Sequence, residues 1–170
     1  MSYSFHLTTE VKPDGHPAFR DFKLESERMN AHHPGLLWSV LVRGAGTDSD
    51  CYFLLAQWDS EKSLDEAGAT PEKAAAIARH QPYRHMQRVP ALREVVDVLV
   101  DEREPGPEPA GLEAVHRRLG PSESPLPGEP HRRLIAQPQG DSAARYEITL
   151  WRAGTMPPGV TPAELLLIQP

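Results

Sequence analysis

Residues 36–60, LLWSVLVRGAGTDSDCYFLLAQWDS, limit the fold more than any other stretch. Two apolar, β-rich runs, 36–43 and 51–58, flank GAGTDSD. Glycine there supplies positive φ, and Asp and Ser hydrogen-bond their own backbone, so the stretch reads as a β-hairpin. Trp38, Val40 and Val42 share one face of its first strand, and Leu37, Ser39 and Leu41 share the other. In the second strand Cys51, Phe53 and Leu55 oppose Tyr52, Leu54, Ala56 and Trp58. A sheet solvated on one side would alternate apolar with polar residues, and this one does not. Each face therefore needs cover: the chain's own helices on one, a partner's sheet on the other.

The flanking segments fit around that hairpin. Upstream, HHPG ends a helix at Pro34-Gly35. Downstream, Asp59 or Ser60 caps a new helix, with Glu61 and Asp65 near its first turns. Residues 3–11 alternate, Phe5, Leu7, Thr9 and Val11 against Ser4, His6, Thr8 and Glu10, which predicts a first strand. From Pro17 the spacing of Phe19, Phe22, Ser26 and Met29 turns helical. A short helix is expected over 60–67. Thr70 caps an alanine-rich one over 71–80, with Pro71 at its first position. Pro82 kinks or ends that helix, with a further turn through 83–88, and 91–102 form a fourth strand. The order is β-α-β-β-α-β, an α+β, ferredoxin-like arrangement.

Prolines divide the chain: 12 of 18 lie beyond residue 100. The tracts at 104–111 and 120–130 exclude regular helix and central strand. The expected organisation is a domain over 1–102, a linker over 103–110 and an extension over 111–170 that packs on the core or on a partner. In the extension, GLEAVHRRLG (111–120) reads as a short helix. RRLIAQ and RYEITLW read as an extra hairpin, with Trp151 matching Trp58. That hairpin is either a degenerate second repeat or a chance likeness. The apolar run at 165–168 needs a surface to bury it.

A net charge of -6 argues against nucleic-acid and anionic-membrane partners. With no long apolar run and no signal-peptide pattern, the expected location is cytoplasmic. Cys51, the single cysteine, excludes an intrachain disulfide and a cysteine-based zinc site. Gly44 and Gly46 are turn glycines with no following helix, and no P-loop, nucleophile elbow or HExxH occurs.

HHPGLLWSVLV followed by YFLLAQWDSEKSL resembles the antibiotic biosynthesis monooxygenase family of dimeric α/β barrels, over about residues 3–102. The resemblance implies a homodimer and a small aromatic ligand. The implied activity is that of an oxygenase or cyclase acting on a polycyclic aromatic, polyketide-type natural product without metal or cofactor. It makes Trp58 a pocket residue, with Tyr52, Leu54, Trp38 and Leu64 as substrate-binding positions. Leu54 and Leu64 stand where the oxygenases carry Asn and often Tyr, so two polar groups are missing. In the haem-degrading relatives a helical His near His80 holds the iron, which makes haem through His80 the alternative cofactor. A non-catalytic dimeric ligand-binding domain is the third reading. His6 shares a strand face with Thr8, and a buried His there could take a proton from a phenol or an acidic C–H. Trp58, His80 and His6 are thus the catalytic candidates.

Overall fold

The computed structural model describes residues 1–80 and 91–169. Its first part runs β1 (Tyr3–Glu10), α1 (His16–Asn30), β2 (Leu36–Arg43), β3 (Cys51–Trp58), α2 (Glu61–Gly68), α3 (Pro71–Arg79) and β4 (Leu92–Arg103). The helix starts follow local chemistry. Ser60 Oγ accepts from Ser63 N at 3.2 Å to cap α2, and Thr70 Oγ1 accepts from Lys73 N at 3.2 Å to cap α3. Gly35 lies so close to the start of α2 that a Cβ there would run into the Ser63 side chain. The turn expected through 83–88 and the effect of Pro82 lie outside the described residues.

The second part supplies four more strands: β5 (Glu113–Leu119), β6 (Arg132–Pro138), β7 (Arg145–Trp151) and β8 (Glu164–Gln169). The short helix expected over 111–120 is corrected, because Glu113 to Leu119 pair residue by residue with Trp151 to Arg145 of β7. Sheet hydrogen bonding overrides the helix-like spacing of Leu112, Val115 and Leu119.

All eight strands form one antiparallel sheet, ordered β5-β7-β6-β4-β1-β3-β2-β8. The two ends meet at the bridge Ala114–Ala163, where Ala163 N donates to Ala114 O at 2.8 Å. The sheet thus closes on itself. Its interior is one apolar cluster drawn from both parts of the chain, including Trp38, Val40, Phe53 and Leu55 together with Leu134, Ile148 and Leu150. This removes the physical reason for the homodimer expected from sequence. The inner face that needed a partner's sheet is covered by β5, β6 and β7 of the same chain.

The two parts correspond strand for strand. Around the ring β4-β1-β3-β2 is followed by β8-β5-β7-β6. Tyr3 pairs with Trp58 and Glu113 pairs with Trp151, so His6 and His116 each lie three residues beyond an equivalent pair. The β2–β8 and β4–β6 seams also carry irregularities at matching places, skipping Leu166 in one and Leu99 in the other. The second part lacks helices. Residues 120–131 and 152–163 stand where α1 and α2–α3 stand in the first, and Leu126, Met156 and Val160 cover Trp151 and Val115 instead. Leu166 packs under α1 against the Val11, Phe19 and Tyr52 cluster, whereas Leu99, with no helix above it, is 52% exposed.

Candidate functional site

Only the first part keeps helices over the sheet, and a cleft of about 530 Å3 opens beneath them. Phe5 and Leu7 of β1, Leu54 of β3 and Leu64 of α2 make it apolar. Period-two alternation puts Phe5, Leu54, Ala56 and Trp58 on this side of the sheet. Trp58 is buried in the same cluster, its ring 5.7 Å from that of His33. Its indole Nε1 has no hydrogen-bond partner among the described residues. A buried donor left unpaired costs about 1–3 kcal/mol.

The opposite wall is charged. Lys23 Nζ donates to Glu27 Oε1 at 2.7 Å, and Asn30 Nδ2 donates to Glu27 Oε2 at 2.9 Å. Lys73 Nζ donates to Asn30 Oδ1 at 2.6 Å and to Ser26 O at 3.0 Å. The last strand anchors this wall: Gln169 Nε2 donates to Glu27 O at 2.8 Å and accepts from Ser39 Oγ through Oε1 at 2.8 Å. Burial works to raise the Glu27 carboxyl, but the charges of Lys23 and Lys73 and the bonds from Lys23 and Asn30 hold it below its usual range. Lys73 goes the other way. Burial pushes its ammonium down to about 8, aided by Lys23 and opposed by Glu27. With Arg93 and Asp65 also on the lining, three cations face two anions among the described residues, a surplus of one positive charge.

The sequence candidates divide between places. Leu54 and Leu64 line the cleft and Trp58 lies in the adjoining cluster. Tyr52 is on the same side of the sheet but packs with Val11 and Phe19, its hydroxyl 3.1 Å from His16 Nδ1. Trp38 is inside the barrel, where its Nε1 donates to Gln57 Oε1 at 3.0 Å. His80 closes α3, with Nε2 2.8 Å from Glu25 Oε2 and its ring against Phe22. The atom that would ligate a haem iron is thus held by a carboxylate outside the cleft, which does not fit an axial ligand. Among the described residues no group of three or more His, Cys, Asp or Glu could hold a metal ion.

His6 is fully buried on the inner side of the sheet. Its Nε2 lies 3.1 Å from His116 Nε2. Its ring stacks on Tyr146 at 3.7 Å, as that of His116 stacks on Phe53 at 3.6 Å. Each histidine packs on an aromatic from the other part of the chain. Burial first, and the neighbouring His116 second, lower the His6 pKa well below the ordinary value, and burial lowers His116 to about 3. A base this weak, sealed in the seam, has no route to a ligand in the cleft. Lys73, Lys23, Glu27 and Asn30 were missed by sequence reasoning. The only signal was three charged residues on helix faces otherwise expected to bury apolar side chains.

Fold and site together define an α+β protein with an antiparallel sheet, few helices and a cleft between helices and sheet. Neither a protein-family model nor a curated protein matches the sequence. Among solved structures, the chain is similar to a proposed monooxygenase, FN1347, from Fusobacterium nucleatum. The TM-score is 0.71 at 8% identity, over 99% of this chain and 94% of that one. Looser likenesses are to a proposed antibiotic biosynthesis monooxygenase from Nitrosomonas europaea and to a variant of SnoaB, a cofactor-independent oxygenase from Streptomyces nogalater. The first has TM-score 0.48, 14% identity, and covers 55% of this chain and 86% of that one. The second has TM-score 0.45, 16% identity, and covers 63% and 98%.

Proposed function

We propose that the chain is a cofactor-independent oxygenase or cyclase of the antibiotic biosynthesis monooxygenase type, acting on a polycyclic aromatic ligand in the cleft under α1–α3. The observation that carries this reading is the pairing of an apolar floor (Phe5, Leu7, Leu54 and Leu64) with a polar wall containing Lys73 and Asn30. A planar aromatic gains from the first and is oriented by the second. The polar groups absent at Leu54 and Leu64 are replaced from the helices.

In the oxygenase case an anthrone-type substrate loses a proton from its methylene carbon. The resulting electron pair passes to O2, a C–O bond forms and water leaves. One anthrone and one O2 give one quinone and one H2O. Residues 111–170 act as a helix-less second copy of the fold, so that one chain forms the whole barrel and carries one site.

Oxygen consumption with 1,8-dihydroxyanthrone tests the reading. Equimolar O2 uptake and quinone formation above the buffer rate are expected, and a rate equal to buffer for a folded protein overturns it. The apolar residues at Leu54 and Leu64 favour a second reading, a non-catalytic binder of the same ligands, which predicts binding without O2 uptake.

A further inference from the structure

The charged wall of the cleft has more donors than its internal bonds consume. An ammonium has three N–H groups. Those of Lys73 serve Asn30 Oδ1 and Ser26 O, which among the described residues leaves one for the cleft it lines. Glu27 is bonded directly by Lys23 and Asn30 and acts on Lys73 through its charge alone. Both amines lie in a half-dry setting, where opposite charges attract several-fold more strongly than in water.

We propose that Lys73 Nζ is the anchor for an acidic oxygen of the ligand, and that the cleft therefore selects aromatic compounds bearing a free phenolic or enolic hydroxyl, which it binds as the phenolate. This deepens the reading of the cleft as the ligand site. The O–H proton leaves to solvent, the oxyanion accepts the spare Lys73 N–H, and the apolar floor holds the ring. Among the described residues the charged groups that line the cleft with Lys73 are Lys23 and Glu27 on α1, Asp65 on α2 and Arg93 on β4. Their sum with Lys73 is the surplus of one positive charge, which an anionic ligand neutralises. The amine is also placed to lose its charge near the working pH, because burial brings it down to about 8. Phenolate binding should therefore weaken above that pH.

The test uses a hydroxyanthraquinone dye, whose phenol and phenolate differ in colour, and its O-methyl ether as control. The expected result is a phenol that ionises about one pH unit lower when bound to the wild-type protein than when free, as an opposite charge at contact produces. In Lys73→Met that shift vanishes and dye affinity falls about tenfold, since one unit of pKa is a factor of ten. Lys73→Arg keeps the shift, and the ether binds both variants alike. Thermal melting and ether binding report whether Lys73→Met is folded. If it is not, the Lys73→Arg shift and the loss of wild-type dye affinity above about pH 8 decide instead. Equal ionisation in the bound and free states, a shift that survives Lys73→Met, or no dye binding at all overturns the proposal. Failure of O2 uptake with dye binding intact would instead count against the oxygenase reading alone.

Discussion

Acid should open this protein through its histidine seam. His6 and His116 touch at 3.1 Å in the barrel, one from each part of the chain, and both are held neutral by burial. The unfolded chain protonates them near pH 6.5. Because the folded values are depressed, the stability they permit is complete above that pH and is lost as pH falls from about 6.5 towards about 3 for His116. Each histidine that stays neutral while its unfolded counterpart takes a proton costs about 1.4 kcal/mol per pH unit. Between pH 7.5 and 5 that is about 2 kcal/mol for fully buried His6. His116 keeps a partly exposed edge, so about 2 kcal/mol is its upper limit. A loss of about 2–4 kcal/mol is a large share of the 5–15 kcal/mol that holds a typical domain folded. The perturbation is His6→Leu with His116→Phe, and the assay is urea unfolding of wild type and variant at both pH values. Carboxylates elsewhere titrate alike in the two proteins and cancel in the difference. The variant should lose about 2–4 kcal/mol less than wild type on acidification. The same loss in both proteins would refute the seam as the acid-sensitive element.

Three further outcomes follow from the geometry. Trp58→Ala should weaken aromatic ligand binding at least tenfold while Trp151→Ala leaves it within about twofold, although each cavity costs about 3–5 kcal/mol of stability; equal effects by fluorescence titration would move the site elsewhere. The full chain should sediment as a monomer at micromolar concentration, because its inner sheet face is already covered; a stable dimer would show an apolar face that this fold does not account for. Truncation after Arg103 uncovers Trp38, Val40, Phe53 and Leu55 and should give self-association or insolubility; a soluble monomer with an unchanged Tm would mean that β5–β8 contribute little.

Legibility in the sequence followed the range of the interactions. The central hairpin could be read because alternation and a glycine-rich turn are local, and β2 and β3 occupy the expected runs. The need to cover both faces was equally visible in Trp38 and Phe53 against Leu41 and Leu54. What covers the inner face was not, since β6 reaches β4 and β8 reaches β2 by pairings far apart in the chain. The 111–120 segment misled because Leu112, Val115 and Leu119 have helical spacing. As a strand, Val115 packs outward with Trp151 while Ala114 faces the barrel. The second proline tract, expected to be irregular, packs over β7: Leu126 N donates to the buried Glu147 carboxylate at 2.9 Å. Leu54, Leu64 and Trp58 were legible through the family resemblance. Lys73 was not, because its meaning depends on Asn30 and Glu27 of a different helix.

A crystal structure with the hydroxyanthraquinone dye bound tests the site in the cleft most directly. One dye per chain is expected, its ring between Leu54 and Leu64 and its phenolic oxygen within hydrogen-bond distance of Lys73 Nζ. A dye lodged against His6 and His116 in the barrel, or on the helix-less face beside Leu126, would contradict it.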